Sequence, residues 1–583
     1  MAEKIQFFVL DTKYKIIDGK AEVYLFGKTI DNNHIIVVDS SFEPYFYVIP
    51  KKGQELKEKI EKLKIKKGDI THQVTKTESV KKNYFGKEVD AIKVFTKLPR
   101  DVPVIRDIIK DWEIIESVNE YDIPFTRRYL IDKGITPMTL FEAEAESINR
   151  KAKVPVFQAE SIKQVGDDTL TTPSILAFDI ETYNPEGKSI NFEKNPIIML
   201  SFYGKNIRKV ITWKRFETDK DYIEFVDSEV ELIQKFKEIL ERMTPDILAG
   251  YYSDGFDLPY IQSRAEKYKI KLDIGLDASE LTITKRQNSK GKIPGIVHLD
   301  VFNVIKKMFS QSLKTDYYDL DSVSSELLNE KKIDVNLDNL SKVWDERPEE
   351  LEIYCDYNLQ DSRLTFNLAE KTLPNIIEMV KIVGLPMYEI TRMGFSQLVE
   401  WYLIKQAKNF NEICPNKPKY EDIRDRMLNS YKGAFVFEPI PGLYKNIIIF
   451  DFRSLYPTII SSHNISPGTL NCECCRESTE KAPVDKENYW FCKNKKGFLP
   501  TVIEELIKRR MRIKEMMKKS NSILLDARQN NLKVLSNAFY GYFGFFNARW
   551  YSIECARSIT AWGRYYIHKV IDSSEKEGFK VIY

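Results

Sequence analysis

The chain lacks a strong charge of either sign. Its 89 Lys and Arg residues stand against 86 Asp and Glu, a net charge of +3. Attraction to a polyanion must therefore come from local basic faces rather than a global field. Long apolar runs are missing too, and none approaches the roughly 18 residues that a membrane helix needs. The opening Met-Ala-Glu-Lys-Ile-Gln carries an acid ahead of too short an apolar stretch for a secretory signal. These absences predict an intracellular, cytoplasmic protein with no membrane partner. Cysteine is scarce, seven in 583 residues, which argues against a secreted disulfide scaffold. Four of the seven, Cys472, Cys474, Cys475 and Cys492, fall close together. They could hold a zinc ion, but the paired two-residue spacing of zinc sites is absent. Reduced thiols or a single disulfide are the expected states.

What is present is length and ordinary globular composition, with 43% hydrophobic and 30% charged residues. A chain this long exceeds one core, and about three to five domains are expected. Residues 5–50 alternate apolar and polar runs around Asp18-Gly19 and Asp31-Asn32-Asn33, which reads as a small β-rich unit. Lys51 to Lys67 is predicted to be a charged amphipathic helix, and the mixed unit closes around Gly134. Ala152 to Thr172 has no strong period and reads as a connector. Strands at Ser174–Phe178, Ile197–Phe202 and Lys209–Thr212 then alternate with helices at Glu229–Met243 and Tyr260–Tyr268, the order of an α/β domain. Helices dominate from Lys314 to Asn409. A β/α region follows up to Ile465, then a helical pair from Pro500 to Tyr542 and a closing helix from Cys555 to Glu577. No internal repeat or long low-complexity tract interrupts this order.

Ser174-Ile-Leu-Ala-Phe178 is a continuous apolar run, as expected of a buried strand, and it ends in Asp179-Ile180-Glu181-Thr182. Side chains two apart on a strand share a face, so both carboxylates point the same way. Anions held that close at a buried strand end repel unless a cation neutralises them. Alone, such a pair is most often a solvated strand end. Two later segments add weight. Tyr251-Tyr-Ser-Asp-Gly-Phe-Asp257 places an acid after a glycine turn, just before a helix. Tyr357 and Asp361 stand four apart in a helical stretch and so share one face.

Ile447-Ile-Ile-Phe450 is again predicted to be a buried strand, ending in Asp451. Leu455 and Tyr456 precede Pro457, which suits a sharp exit into a helix whose first amides can take phosphate oxygens. The helical pair carries the clearest basic run, with Lys508, Arg509, Arg510, Arg512, Lys514, Lys518 and Lys519 set against Glu515 alone. A solvated face is the plain explanation of such a run. Lys533, Asn537 and Tyr540-Gly541, spaced i, i+4 and i+7/i+8, form one stripe on the next helix. A core stripe would be apolar, whereas this one presents an amine and an amide. Arg528 and Gln529 precede it on the same helix, with roles left open.

Asp451-Phe-Arg-Ser-Leu-Tyr-Pro-Thr-Ile-Ile460 and Lys533-Val-Leu-Ser-Asn537-Ala-Phe-Tyr-Gly541 resemble two of the three signatures of family B DNA polymerases. The three acidic segments resemble that family's exonuclease motifs in order and approximate spacing. Tyr431-Lys432-Gly433-Ala434 resembles its template-contacting segment, implying a DNA-binding role for Tyr431 and Gly433. The resemblance covers essentially the whole chain and is closest to archaeal members. It implies an α+β and α/β multidomain fold: an N-terminal β-rich domain (1–139), an RNase H-like 3′-5′ exonuclease domain (140–372) and a helical segment returning to the N-terminal domain (373–414). Part of a palm (415–497), helical fingers (498–546) and a second palm part (547–583) follow, with the thumb absent.

By the same resemblance, Asp179, Glu181, Asp257 and Asp361 hold two Mg2+ or Mn2+ ions and Tyr357 orients the attacking water, while Asp451 is a metal-binding carboxylate of the polymerase site. Leu455 and Tyr456 belong to the nucleotide pocket, where the Tyr456 ring leaves no room for a 2′-OH. Arg510 and Lys533 grip the triphosphate, and Asn537 and Tyr540 line the nascent base pair. One departure stands out: the usual Asn of the second exonuclease motif is replaced by Tyr252. A disulfide that relatives from hot environments carry near Trp550–Cys555 cannot form, because Ser552 occupies one cysteine's place.

Tyr14 and the segments around Pro44, Tyr45, Pro99, Val102, Pro124 and Arg128 resemble the uracil pocket of archaeal relatives, a rigid slot in which a thymine methyl would clash. The family's third signature, an Asp-Thr-Asp hairpin, follows a strand that reads like Gly578–Tyr583 and is not present. The expectation is the large subunit of a split two-chain polymerase of the methanogen type. Its partners would be primer-template DNA, deoxynucleoside triphosphates, a second chain with the missing Asp and thumb, and a sliding clamp reached through that chain. A stand-alone exonuclease and a non-catalytic DNA-binding scaffold are the alternatives.

Overall fold

In the computed structural model the apolar run before Asp179 becomes the strand Ile175–Thr182, an inner member of a six-stranded sheet. The structure describes residues 3–51, 56–185, 187–284, 289–477, 480–520 and 522–583. The chain gathers into two units. One comprises Met1–Ile17, Glu22–Phe42 and Gly134–Gly394, the other Asp18–Ala21, Glu43–Lys133 and Phe395–Tyr583. Among the described residues no helix is long and apolar enough to cross a membrane.

The first unit contains the six-stranded sheet, ordered Ile223–Phe225, Ile207–Thr212, Ile197–Gly204, Ile175–Thr182, Ile247–Gly250 and Val297–Asp300. Ile175–Thr182 pairs antiparallel with Ile197–Gly204 and parallel with Ile247–Gly250. Helices cover both faces, which is why its strands read as continuous apolar runs rather than alternating ones. On one face Phe178, Ile180, Leu200 and Phe202 pack against Leu232, Ile233, Phe236 and Leu240 of the helix Glu229–Met243. Their i, i+3, i+4 spacing makes that helix amphipathic. Ser228 caps its start by accepting from the Glu231 amide. On the other face Ile198, Met199 and Val210 pack against Tyr354, Cys355 and Leu359 of the long helix Leu351–Val383. A closed barrel of Glu3–Ile17, Lys20–Thr29, His34–Asp39, Val156–Thr169 and Thr139–Ser147 accompanies this sheet.

The strand Val156–Thr169 corrects the connector expected at Ala152–Thr172. It runs antiparallel to Thr139–Ser147 and parallel to His34–Asp39, with register shifts at Ala159/Ser161 and Gln164/Thr169. Its described side chains beyond Val156 are half-buried or exposed, so the backbone ladder holds it and no apolar alternation marks it. The helix expected over Lys51–Lys67 is also corrected. Residues 52–55 lie outside the described residues; beyond them only Lys57–Glu61 is helical, and Lys64–Lys67 is a strand paired with Ile70–Tyr84. Gly68, at φ +60°, permits the reversal between those strands.

In the second unit a five-stranded sheet, Lys64–Lys67, Ile70–Tyr84, Lys87–Thr96, Tyr45–Pro50 and Ile115–Asn119, packs on the helix Asp101–Ile109 through Phe46, Val48, Val94 and Ile105. The predicted helical pair spans Phe498–Met517 and Ile523–Gly544, and the closing helix spans Ile553–Lys576. Arg549, fully buried, bonds to Asp122 at 2.8 Å and the Pro415 carbonyl at 2.8 Å. The strand expected at Ile447–Phe450 is not formed. These residues are irregular and exposed, Ile449 at 87%, because among the described residues no strand pairs with them. Phe579–Tyr583 is likewise irregular, joined to Ile440 by one bond from its amide to the Ile582 carbonyl at 3.0 Å.

One buried ion pair ties three elements of the first unit. Arg264 is 1% exposed and donates to both oxygens of Glu229, at 2.7 and 2.5 Å. Glu229 also accepts the Ile197 amide at 2.8 Å. Removing one partner strands the other charge in the core. Arg264→Ala is expected to cost about 3–5 kcal/mol, read from chemical denaturation of this unit, and the joint Arg264→Met, Glu229→Leu replacement clearly less. A loss below about 1 kcal/mol would give the pair no structural weight.

Candidate active sites

Asp179 and Glu181 leave the strand on the face that the helix Leu351–Val383 covers, and that helix brings Tyr357 and Asp361 down onto them. Carboxylate oxygens of Asp179, Glu181 and Asp361 all lie within 4.8 Å of one another. Asn358 donates to Asp179 at 2.7 Å, and Ser201 beside it donates to the Asn358 carbonyl at 2.8 Å, fixing helix to strand. Burial, then the neighbouring acids, pushes Asp179 well above the usual carboxylate range. Burial raises Glu181 to about 8 and Asp257 to about 7, the neighbouring acids adding to both. Asp361 is pushed up to about 6 by burial despite a nearby ammonium.

That ammonium belongs to Lys332, which sequence reasoning missed. Its Nζ donates to Asp361 at 2.6 Å and to the Tyr357 hydroxyl at 2.5 Å. It sits in the charged run Asn329-Glu-Lys-Lys-Ile333, where nothing sets it apart from a solvated loop lysine. Its own pKa is raised: Asp361 overcomes the burial that opposes its charge. Asp361 Oδ1 is buried without a hydrogen-bond partner. A set of hard oxygen donors, raised pKa values and an orphaned carboxylate oxygen fits divalent cations.

Asp257 is the first residue of the helix Asp257–Lys267 and is 3% exposed. It stands outside the group of three, yet its charge raises the pKa of Asp179. The turn before it is clamped by Asp300, which accepts the amides of Tyr252 and Asp254, each at 3.1 Å. Arg392 pairs with Asp254 at 2.9 Å, and His298 lies 3.4 Å away. Asp254, Asp300 and Arg392 carried no motif, since buried turn supports have no spacing signature. Tyr252 is 51% exposed at φ +63°, and its ring occupies the space where a Cβ on Gly255 would sit, 2.5 Å away. Gly255, having no Cβ, therefore makes room for the Tyr252 ring.

The second constellation lines a cleft of about 820 Å³. Asp451, Leu455 and Tyr456 enter it from the start of the helix Leu455–Ser462, Arg510 from Phe498–Met517, and Lys533 and Asn537 from Ile523–Gly544. Arg453, Lys514 and Lys518 add cations, against Glu515 and Asp451. Arg510 bonds Ser454 Oγ at 3.2 Å, but its Nε is buried without a partner. Burial and then the neighbouring Arg453 lower its pKa, so this guanidinium is short of an anion. The Tyr456 ring packs on Tyr540 at 4.6 Å and lies 2.8 Å from where a Cβ on Gly563 would stand. Tyr540 is not among the cleft's lining residues and meets Tyr431 edge-on at 6.4 Å. The carbonyl of Gly433 accepts from Arg564 at 2.6 Å. Among the described residues Asp451 belongs to no metal-capable group of three.

Of the residues predicted for a base pocket, Tyr45 and Arg128 meet, with the guanidinium 4.9 Å over the ring. Tyr45 also donates to Asp132 at 2.6 Å, and Arg128 pairs with Glu120. Val102 is packed in the core with Phe46 and Val94, Pro44 is buried, Pro99 half-buried and Pro124 exposed. Tyr14, in the other unit, is 39% exposed.

Residues 385–582 match the family model of DNA polymerase family B, and residues 116–323 match that of the DNA polymerase family B exonuclease domain. The chain is 37% identical over 581 residues to a DNA polymerase of Pyrococcus glycovorans, covering 99% of this chain and 69% of that one. It is 36% identical over 581 residues to a DNA polymerase of Thermococcus gorgonarius, covering 99% of this chain and 70% of that one. The solved family B DNA polymerase of Pyrobaculum calidifontis matches it with a TM-score of 0.82 at 29% identity, over 99% of this chain and 73% of that one.

The raised carboxylates set a pH dependence. In the folded, metal-free protein they hold protons that the unfolded chain has lost. Stability therefore falls as pH rises from the ordinary carboxylate range through about 6, 7 and 8, the values for Asp361, Asp257 and Glu181. A cation needs the deprotonated oxygens, so its affinity climbs through the same window. The rise in melting temperature on adding Mg2+ or Mn2+ is expected to be larger at pH 8 than at pH 6. An equal rise at both would overturn this account.

Proposed function

Because the chain belongs to DNA polymerase family B and carries both its polymerase and its exonuclease domains, we propose that it extends DNA primers at the Asp451 cleft and trims their 3′ ends at the Asp179–Asp361 cluster. The observation that carries the reading is the convergence of Asp179, Glu181 and Asp361 within 4.8 Å, from a strand and a helix far apart in sequence.

At the exonuclease site Asp179, Glu181, Asp257 and Asp361 would hold divalent cations, which supply Lewis-acid stabilisation of a phosphodiester and a more acidic water. Tyr357 orients the attacking water. Lys332, bonded to both Tyr357 and Asp361, fixes the hydroxyl's direction and balances the acids before DNA arrives. Tyr252, exposed and held at positive φ, offers a ring face on which a base of the single-stranded end stacks.

In the polymerase cleft Arg510 and Lys533 take the triphosphate, an assignment supported by the unpartnered Arg510 Nε. Leu455 and Tyr456 floor the sugar, Asn537 and Tyr540 abut the base pair, and Tyr431 and Gly433 meet template. The domain division at 139, 372, 414, 497 and 546 belongs to this reading. The second metal-holding carboxylate comes from palm strands outside residues 1–583, on this polypeptide or on another chain as in the split enzymes. The exposed run Ile447–Phe450 supports that completion, since an apolar run beside Asp451 wants strand partners.

The two activities separate by mutation. Asp179→Ala should lower primer trimming ~100-fold or more and leave extension by the completed polymerase intact, while Asp451→Ala does the reverse. Each is read on one labelled primer–template. Loss of both activities in either variant would sink the two-site reading. The finer proposal of uracil sensing rests on Pro44, Tyr45, Pro99, Val102, Pro124 and Arg128. It requires tighter binding to a template containing uracil than to its thymine counterpart, and equal affinity in a fluorescence titration would end it.

A further inference from the structure

We propose that Cys472, Cys474, Cys475 and Cys492 form a closed tetrathiolate site for a structural zinc ion. Their spacing gives no standard zinc motif, but the fold assembles one. The four Sγ atoms all lie within 4.8 Å of one another, with Cys474 3.7 Å from Cys475 and 3.6 Å from Cys492. A tetrahedron with Zn–S distances of about 2.3 Å has S–S edges of about 3.8 Å. A disulfide needs about 2.05 Å, and all four thiols are free. The separations match a shared ion and not a bond between sulfurs.

The backbone builds this geometry from both sides. Leu470 and Phe491 form a bridge, the Asn471 amide donates to the Trp490 carbonyl at 2.8 Å, and the Cys492 amide donates to the Thr469 carbonyl at 2.9 Å. These bonds hold Cys472 and Cys492 on two neighbouring segments. The tight turn Glu473–Cys475 then folds Cys474 and Cys475 toward them. Trp490 Nε1 bonds the Cys472 carbonyl at 2.9 Å, and the Lys493 amide donates to Cys475 Sγ at 3.3 Å. An amide aimed at a sulfur favours thiolate, as the outer hydrogen bonds of metal sites do. With four sulfurs converging, no coordination position is left for substrate, so the role is structural.

The site braces the root of the cleft. Asn464, just past the helix Leu455–Ser462, donates to the Cys492 carbonyl at 2.6 Å and to the Lys495 carbonyl at 2.9 Å. Its side-chain Oδ1 accepts the Gly497 amide at 2.8 Å, one residue before the helix Phe498–Met517. The two helices that carry Tyr456 and Arg510 are thus referenced to the cysteine knuckle. An ion there closes the long loop between Cys475 and Cys492 at its two ends.

The test is elemental analysis of the chain purified without added metal and washed with a mild chelator. One zinc per chain is expected, released when an organomercurial blocks the thiols and accompanied by a fall in melting temperature. Cobalt exchanged for zinc should give the intense visible absorption of a tetrahedral tetrathiolate. Cys474→Ser, at the exposed ligand, should bring bound zinc to background while the far-ultraviolet circular dichroism stays unchanged. The wild-type measurement stands even if that variant fails to fold. A metal-free chain with four freely alkylated thiols, a disulfide within the cluster by mass spectrometry, or iron in place of zinc would each overturn the assignment.

Discussion

The exonuclease unit is organised around a repulsion. Three carboxylates within 4.8 Å of one another, with Asp257 close enough to raise the pKa of Asp179, would drive their segments apart if those were free to move. They are not free. Asp179 and Glu181 sit on a strand paired on both edges and covered on both faces, and Asp361 sits on a helix bonded to that strand through Asn358 and Ser201. Protonation and the Lys332 ammonium relieve the remaining repulsion in the metal-free state. Much of the surrounding packing can be understood as the scaffold that keeps like charges together. The buried Arg264–Glu229 pair and the Asp300 clamp behind Asp257 are parts of it.

Legibility in the sequence followed the physics of each element. A two-residue spacing at the end of an apolar run announced Asp179 and Glu181, because a strand has only two faces. Four-residue spacing announced Tyr357 and Asp361, because a helix brings such residues onto one face. Lys332 could not be read this way, since its role depends on a loop returning to a helix that begins later in the chain. Asp254, Asp300 and Arg392 support a turn from buried positions scattered over the chain, and no local pattern encodes that. Val156–Thr169 escaped notice for a related reason: a strand held by its backbone ladder, with half-buried and exposed side chains mixed along it, has no alternation to find. Ile447–Phe450 failed in the opposite sense. The residues have strong strand propensity, but propensity does not make a strand without a partner to complete the ladder.

The two candidate sites solve the handling of phosphate in opposite ways. The Asp179–Asp361 cluster is acidic and partly buried, and so calls for cations before it can approach a phosphodiester. The Asp451 cleft is cation-rich, with Arg453, Arg510, Lys514, Lys518 and Lys533 around a single exposed catalytic candidate. It is ready for a polyanionic nucleotide yet poor in the carboxylates that would hold metal beside it. The cations, carried on helices or at their ends, are in place. The acid, which needs a sheet, stands on a run that has not become one.

That contrast explains why a brace belongs where the cysteines are. The run before the helix Leu455–Ser462 forms no strand, so besides its packing on neighbouring helices that helix is held at its far end by a side chain. Asn464 does this by bonding to Cys492, Lys495 and Gly497 at once. The hold is only as stiff as the segment it grips. A loop that leaves at Cys475 and returns at Cys492 would transmit its own motion to both helices unless its ends were closed, and four converging sulfurs close them. The cysteine knuckle thus braces one side of the Asp451 cleft, while on the other side the run that carries Asp451 forms no strand.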